Sequence, residues 1–308
     1  METEDNTLTE SETPLLAGIE AGGTKYVCAV ATNPAEPLLE TRFPTGAPEE
    51  TIESAVAFLR DATERYGPIS AFGIGTFGPA DMHARSPGYG SILTTPKPGW
   101  SGFNVVQALR DLLGAPIPIA FETDVNAALL GEIEFGAAKN HRFPAYITVG
   151  TGIGAAFSHD GTLIHGRMHP EVGHMVMPDY DAPFGKSTNV CPFHESCLEG
   201  RASGPAIQER WDVPGSEIPD DHEAWNLQAE YLAAGCINLT AAWSPDLILL
   251  GGGVNQKGGL IDRVRHDFEK KAGGYWSLPP LDLYLKTPEL NQNAGIVGSL
   301  CLAQRLLQ

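Results

Sequence analysis

The sequence predicts an α/β fold in which two similar lobes close on a cleft, the arrangement of actin-like (ribonuclease H-like) ATPases, with a zinc-braced loop beside it. Two stretches carry the first part of that expectation. Residues 15–30 (LLAGIEAGGTKYVCAV) and 145–157 (AYITVGTGIGAAF) each read as an apolar strand, a glycine-rich turn with threonine, and a second strand. One such pattern is common in plain β-hairpins, because Gly-Gly suits a tight turn. Two copies, each opening about half of the chain, point to internal duplication. The third observation is the segment 169–200, in which Cys191, His194 and Cys197 crowd three metal-ligand side chains at C-x2-H-x2-C spacing.

The chain has 308 residues, enough for two domains of moderate size. With 42% hydrophobic and 19% charged residues it reads as a soluble globular protein with ample core. Its longest apolar runs, such as residues 247–250, are far too short to span a bilayer. No basic stretch precedes an apolar one near the N-terminus, so the expectation is a cytoplasmic protein without membrane attachment. The formal charge of −18 argues against a duplex nucleic acid partner. It also means that an anionic substrate needs local help from backbone amides or a metal. Cys28, Cys236 and Cys301 sit in apolar surroundings and are expected as buried thiols, which leaves no disulfide framework.

Taken in order, residues 1–14 are acidic and polar and end in proline, an expected disordered leader too short for a helix-turn-helix domain. At the first hairpin tip, Gly22 and Gly23 let backbone N–H groups face outward, with Thr24 and Lys25 following, a place for phosphate oxygens. Residues 51–66 carry Ile52, Val56 and Leu59 at helical spacing and end at Gly67-Pro68, so a helix is expected. A buried strand over 69–74 runs into the loop 75–79, which contains Gly78 and Pro79; the turn-rich loop 93–100 follows. Loops after strand ends are where α/β folds bind ligands. A helix over 104–113 and a strand over 117–121 come next. That strand delivers Glu122-Thr123-Asp124-Val125-Asn126 ahead of a helix over 127–135. An aspartate at such a junction is ordinarily an N-cap. Here the junction falls between the two hairpins, where a cleft opens, and Asp124 becomes the candidate general base. In the second hairpin, Gly150, Thr151 and Gly152 repeat the phosphate-binding pattern.

Further on, Glu171 and His174 lie one turn apart if their segment is helical. His174 with Cys191, His194 and Cys197 makes two nitrogens and two sulfurs, a full tetrahedral set for Zn²⁺ with no open position, which marks a structural site. His159, His165 and His169 are also near enough in sequence to be the fourth ligand. Such a closed site holds the segment rigid, with Glu171 before it and Glu199 after it pointing the same way. Helices are expected over 198–210 and 224–243, then a strand over 246–250 ending in Gly251-Gly252-Gly253. Three glycines there permit close approach of a flat ligand such as an adenine ring. Residues 291–308 are expected to form an apolar closing helix of purely structural role, packed back on the first domain. The lobes divide as 15–121 with 292–308, and 122–291 carrying the metal segment.

These residues resemble the ROK family (repressors, open reading frames and sugar kinases), in its bacterial fructokinase branch. The resemblance covers nearly the whole chain. It is carried by GIEAGGTK at 18–25, ETDVN at 122–126, TVGTGIG at 148–154, HPEVGH at 169–174, CPFHESCLEG at 191–200, LLGGGV at 249–254 and NAGIVG at 293–298. It implies an ATP-dependent kinase that transfers the γ-phosphoryl group of MgATP to the 6-hydroxyl of a hexose, D-fructose first, and a homodimer. Glucose, mannose and N-acetylmannosamine are the alternative acceptors, and a non-catalytic sugar sensor is the rival reading. A repressor of the same family needs a DNA-binding domain ahead of Gly18. Residue by residue, the resemblance makes Asp124 the catalytic base, for which an ordinary carboxylate is expected to suffice. Gly78, Pro79, Thr123, Asp124, Glu171, His174 and Glu199 fall around the sugar. Gly22, Gly23, Thr24, Lys25, Gly150, Thr151, Gly152, Gly252 and Gly253 fall around the nucleotide. His174, Cys191, His194 and Cys197 look like structural zinc ligands, and Mg²⁺ accompanies the ATP. Two departures stand out: Glu20 where many members have Asp, and Thr123 where Asn is usual. Both match the fructokinase branch and point away from glucose.

Overall fold

The computed structural model describes residues 13–184 and 187–308, so the expected leader lies outside the described residues up to residue 12. Ten strands form two sheets of five. The first holds β1 (Leu15–Ala21), β2 (Lys25–Ala31), β3 (Leu39–Pro44), β4 (Ile69–Thr76) and β5 (Ile119–Thr123). The second holds β6 (Pro144–Val149), β7 (Ile153–His159), β8 (Thr162–Leu163), β9 (Leu247–Gly251) and β10 (Leu285–Lys286). Their orders, β3-β2-β1-β4-β5 and β8-β7-β6-β9-β10, are the same path traced twice. In each sheet the hairpin and third strand pair antiparallel, while the first strand runs parallel to the last two. The duplication read from the two glycine hairpins is therefore present in the topology.

Helices make the crossovers. In the first lobe they are α1 (Pro48–Tyr66) and α2 (Val105–Leu113); α3 (Asp124–Phe135) follows β5. The second lobe has α4 (Leu198–Ala202), α5 (Gly204–Trp211), α6 (Ala224–Trp243), α7 (Leu260–Ala272) and α8 (Leu281–Tyr284), and α9 (Ala294–Arg305) closes the chain. α1 buries Ile52, Ala55, Val56, Leu59 and Ala62 on one face, the helical spacing expected from the sequence. By contrast α6 is buried nearly all round, as its mostly apolar sequence requires, and two of its polar residues, Gln228 and Thr240, are buried as well.

α3 and α9 pack on each other between the sheets; α9 lies on β1, β2, β4 and β5, and α3 reaches β4, β6 and β7. This approach depends on missing side chains. A Cβ on Gly298 would come within 1.6 Å of the Ala127 carbonyl oxygen, and one on Gly73 within 1.8 Å of the Ser299 carbonyl oxygen. The closing helix thus packs back on the first sheet, as expected, and also braces α3.

Several expected boundaries differ. The helix expected over 198–210 is two helices, because Pro205 lacks an N–H and Ser203 is extended before it. The helix expected from Ala127 starts at Asp124, and the strand before it ends at Thr123 rather than Phe121. The segment holding Glu171 and His174 is a single 3-10 turn over Val172–His174, not an α-helix. Cys28, Cys236 and Cys301 are buried free thiols. Among the described residues no helix is long and apolar enough to cross a membrane.

Candidate active site and adjoining metal cluster

The predicted residues sit on loops at the carboxyl ends of the parallel strands, where α/β sheets form ligand crevices. β1 turns at Gly22–Thr24 and β6 at Gly150–Gly152; β4 runs out into Gly78-Pro79, β5 into Asp124, and β9 into Gly252-Gly253. At the two tips, the Gly22 N–H donates to the Lys25 carbonyl (3.0 Å) and the Gly150 N–H to the Gly152 carbonyl (2.9 Å). Those two amides close the turns, which leaves Gly23, Thr24, Thr151 and Gly152 to form the outward side. The Lys97 ammonium bonds the Gly23 carbonyl and steadies the first tip. Gly252 has φ +87°, and a Cβ there would lie 2.4 Å from the Val149 carbonyl oxygen, so the residue has to be glycine. It borders a cavity of about 280 Å³ with Asn255, Lys257 and Thr287 on its walls. A larger groove of about 540 Å³ between α6 and α7 holds none of the predicted residues.

Register sets Glu20, Gly75 and Glu122 in one row across β1, β4 and β5. Thr123 caps α3: it is buried, and its hydroxyl oxygen accepts from the Asn126 N–H at 3.2 Å. Asp124 is thereby relieved of capping and becomes the first helical residue, its Oδ1 accepting from the Val125 N–H at 2.8 Å. This first turn touches both sheets. A Cβ on Gly75 of β4 would stand 3.4 Å from the Asp124 Cα, and one on Gly154 of β7 would stand 3.5 Å from the Val125 side chain.

Burial pushes the Asp124 carboxyl up to about 7; the Glu20 charge adds to this, the Val125 amide opposes it, and Glu171 adds a further push. Glu20 is itself raised by burial against the pull of Lys25 and Arg42, and its Oε2 is buried without a partner. Glu171 is pushed up to about 7 by burial and by Glu199. Glu199 is fixed from the other side, accepting from the Ile153 N–H at 2.9 Å just past the second hairpin tip. Glu20, Asp124, Glu171 and Glu199 thus form an electrostatically linked chain from the first sheet to the metal loop.

The sequence reading missed three members of this neighbourhood. Glu122 accepts from the Asn126 amide (2.8 Å) and pairs with the His165 Nε2 (2.9 Å), a bond that raises the His165 pKa. His169, only 6% exposed, accepts from the Ala80 N–H at Nε2 (3.2 Å) and turns Nδ1 toward Glu171. The signal was present, since both histidines stood out as alternative metal ligands.

The metal cluster consists of His174, Cys191, His194 and Cys197, whose ligand atoms all lie within 4.8 Å of one another. His159 pairs instead with Asp160, at 3.3 Å. The Cys191 sulfur lies 3.4 Å from His194 Nδ1 and 3.9 Å from His174 Nδ1, and the Cys197 sulfur 3.8 Å from the same His174 nitrogen. Zinc bonds to sulfur and nitrogen at tetrahedral angles imply S···N edges of about 3.6 Å, so this donor set fits Zn²⁺. The Gly200 N–H donates to the Cys197 sulfur at 3.3 Å, an outer contact of the kind that orients a ligand.

The sequence pattern of the ROK family matches residues 16–306. This chain belongs to the ROK family. Among ROK relatives, a fructokinase from Pediococcus pentosaceus is 40% identical over 294 residues, covering 96% of this chain and 99% of that protein. A glucokinase from Streptomyces coelicolor is 27% identical over 321 residues, covering 94% and 98%. The crystal structure of a ROK hexokinase from Thermus thermophilus superposes with a TM-score of 0.75 at 26% identity, covering 95% of this chain and 99% of that one.

Proposed function

We propose that this ROK protein is an ATP-dependent fructokinase, transferring the γ-phosphoryl group of MgATP to the 6-hydroxyl of D-fructose. The observation that carries the reading is Asp124, freed from capping, set at the foot of a helix that touches both sheets, and held near a pKa of 7. Phosphoryl transfer to a hydroxyl needs in-line positioning, neutralised phosphate charge and an acceptor for the proton. Asp124 accepts the proton of the sugar hydroxyl as the hydroxyl oxygen bonds to the γ-phosphorus and the bond from that phosphorus to the bridging oxygen breaks, releasing ADP. A base whose pKa lies near the working pH suits this better than the ordinary carboxylate expected from sequence.

Glu171, Glu199 and His174 face the sugar together with Gly78, Pro79 and Thr123, because ionised carboxylates accept from several hydroxyls at once. Gly23, Thr24, Thr151 and Gly152 offer amides to the nucleotide phosphates, with Gly22, Lys25 and Gly150 shaping the tips and Gly252-Gly253 taking the base. Mg²⁺ bound with ATP supplies charge neutralisation on the phosphates. His174, Cys191, His194 and Cys197 hold a structural zinc. The lobes 15–121 with 292–308, and 122–291, close on the substrates in a cytoplasmic homodimer.

Fructose is favoured over glucose by the greater identity to the fructokinase relative. A coupled ADP-release assay with MgATP across fructose, mannose, glucose and N-acetylmannosamine tests the reading. Turnover with fructose is the expected result. Preference for another hexose overturns the acceptor, and release with none of them leaves a sugar sensor.

A further inference from the structure

We infer that His169 is a positioning residue for sugar recognition, tying Glu171 in the second lobe to the Gly78–Ala80 loop that follows β4 in the first. The inference rests on the proposed sugar site. His169 lies in the segment between β8 and the 3-10 turn that begins at Val172, and its ring is buried. Its Nε2 accepts from the Ala80 N–H at 3.2 Å, so the ring proton resides on Nδ1. Burial lowers the pKa of the ring, which keeps it neutral with that one proton. Nδ1 then faces Glu171 Oε1 at 3.5 Å. One imidazole therefore reads a backbone amide of one lobe and turns Nδ1 toward the carboxylate of the other.

The fit around the ring is close. A Cβ on Gly78 would come within 3.1 Å of His169 Cε1, so even a methyl group there would press on the ring. The same segment is pinned to the first sheet and to the loop beyond β4 at two further points. His165 pairs with Glu122, at the end of β5, at 2.9 Å. The Arg167 carbonyl bonds the His83 ring, three residues beyond Ala80. With these flanking contacts present, His169 is not needed to keep the segment docked. Its own contribution is a ring nitrogen turned toward Glu171. Glu171 is held near a pKa of 7 by burial and by Glu199, and a neutral donor aimed at Oε1 leaves Oε2 free to accept from a sugar hydroxyl.

The test measures fructose binding by titration calorimetry, and KM for fructose and for MgATP, in wild type, His169→Leu and His169→Gln. Leucine fills the volume but neither accepts nor donates, whereas a glutamine amide does both. His169→Leu is expected to raise the fructose Kd and KM about tenfold, the loss of the imidazole that orients Glu171, with the MgATP KM within about twofold. His169→Gln is expected to return the fructose Kd to within about threefold of wild type. Unchanged fructose binding in His169→Leu overturns the inference alone. So does a joint loss of fructose and MgATP affinity, or a failure of glutamine to rescue. A wild-type protein that binds no hexose overturns the proposed function first and this inference with it.

Discussion

Replacing Asp124 by asparagine should weaken the enzyme and strengthen the fold, and both effects follow from one displaced pKa. The carboxyl moves from 3.8 to about 7 in the folded protein. Between those values the folded chain holds a proton that the unfolded chain has released, so stability falls as pH rises through that window. The loss is complete near pH 8. The full displacement corresponds to ~4 kcal/mol; the side chain is partly open to solvent, and screening brings a working value to ~2 kcal/mol. Urea unfolding followed by tryptophan fluorescence should therefore show Asp124→Asn more stable than wild type by ~2 kcal/mol at pH 8, with the gap closing toward pH 4. Activity should move the opposite way. Wild-type kcat/KM for fructose should rise with pH through about 7 and be about tenfold lower at pH 6 than at pH 8. Asp124→Asn should lose ~10²–10⁴ in kcat and with it this acidic limb. Because Glu171 also titrates near 7, the limb belongs to the pair. Near-normal turnover in Asp124→Asn, or a variant less stable than wild type at pH 8, refutes the reasoning.

Removing the metal set should act indirectly. Cys191→Ser, or prolonged chelation, should lower both Tm and kcat, and metal analysis of the purified wild type should find stoichiometric zinc; a fully active protein without zinc contradicts the structural role. Glu199→Gln keeps an oxygen for the Ile153 N–H but removes the charge. Its fructose KM should rise roughly tenfold with kcat little changed, and a change in kcat alone would speak against a sugar contact. Gly298→Ala drives a Cβ into the Ala127 carbonyl at 1.6 Å, backbone against backbone. It should cost more than about 3 kcal/mol, visible as lost soluble yield or a much lower Tm; a wild-type Tm would mean that α3 and α9 can separate freely.

Much of this was legible in the sequence because it is local. The glycine hairpins announce themselves by composition, and Cys191, His194 and Cys197 by spacing. α6 was bounded correctly at both ends, since its apolar run is long and its flanks are plain. Long-range consequences were not legible. Nothing in the order of residues says that Thr123, two after the nominal end of the strand, would take the cap and release Asp124. Nor does it say that Glu20, Asp124 and Glu171 would share a field, because that requires β1, β5 and the metal segment to meet. For this reason an ordinary carboxylate was expected where the protein has one raised to about 7. The histidines were visible only as alternatives to His174 for the fourth ligand, since sequence proximity cannot distinguish a side chain facing the Cys/His cluster from one facing the other lobe.

The position of the zinc ligands answers a problem that the carboxylates create. The Glu199 charge raises the cost of ionising Glu171, yet a sugar site built on carboxylates needs both held in place. His174 comes three residues after Glu171, and Cys197 two residues before Glu199. The proposed zinc therefore cross-links the two stretches that carry the repelling groups. Structural zinc contributes about 10–16 kcal/mol to the folding of small domains. Like charges near a protein surface oppose one another by only about 1–4 kcal/mol at 4 Å. A metal link of that strength keeps the pair together with a wide margin. A hydrogen-bonded loop of the same length, whose contacts are worth about 1 kcal/mol each, would relax and let the carboxylates part.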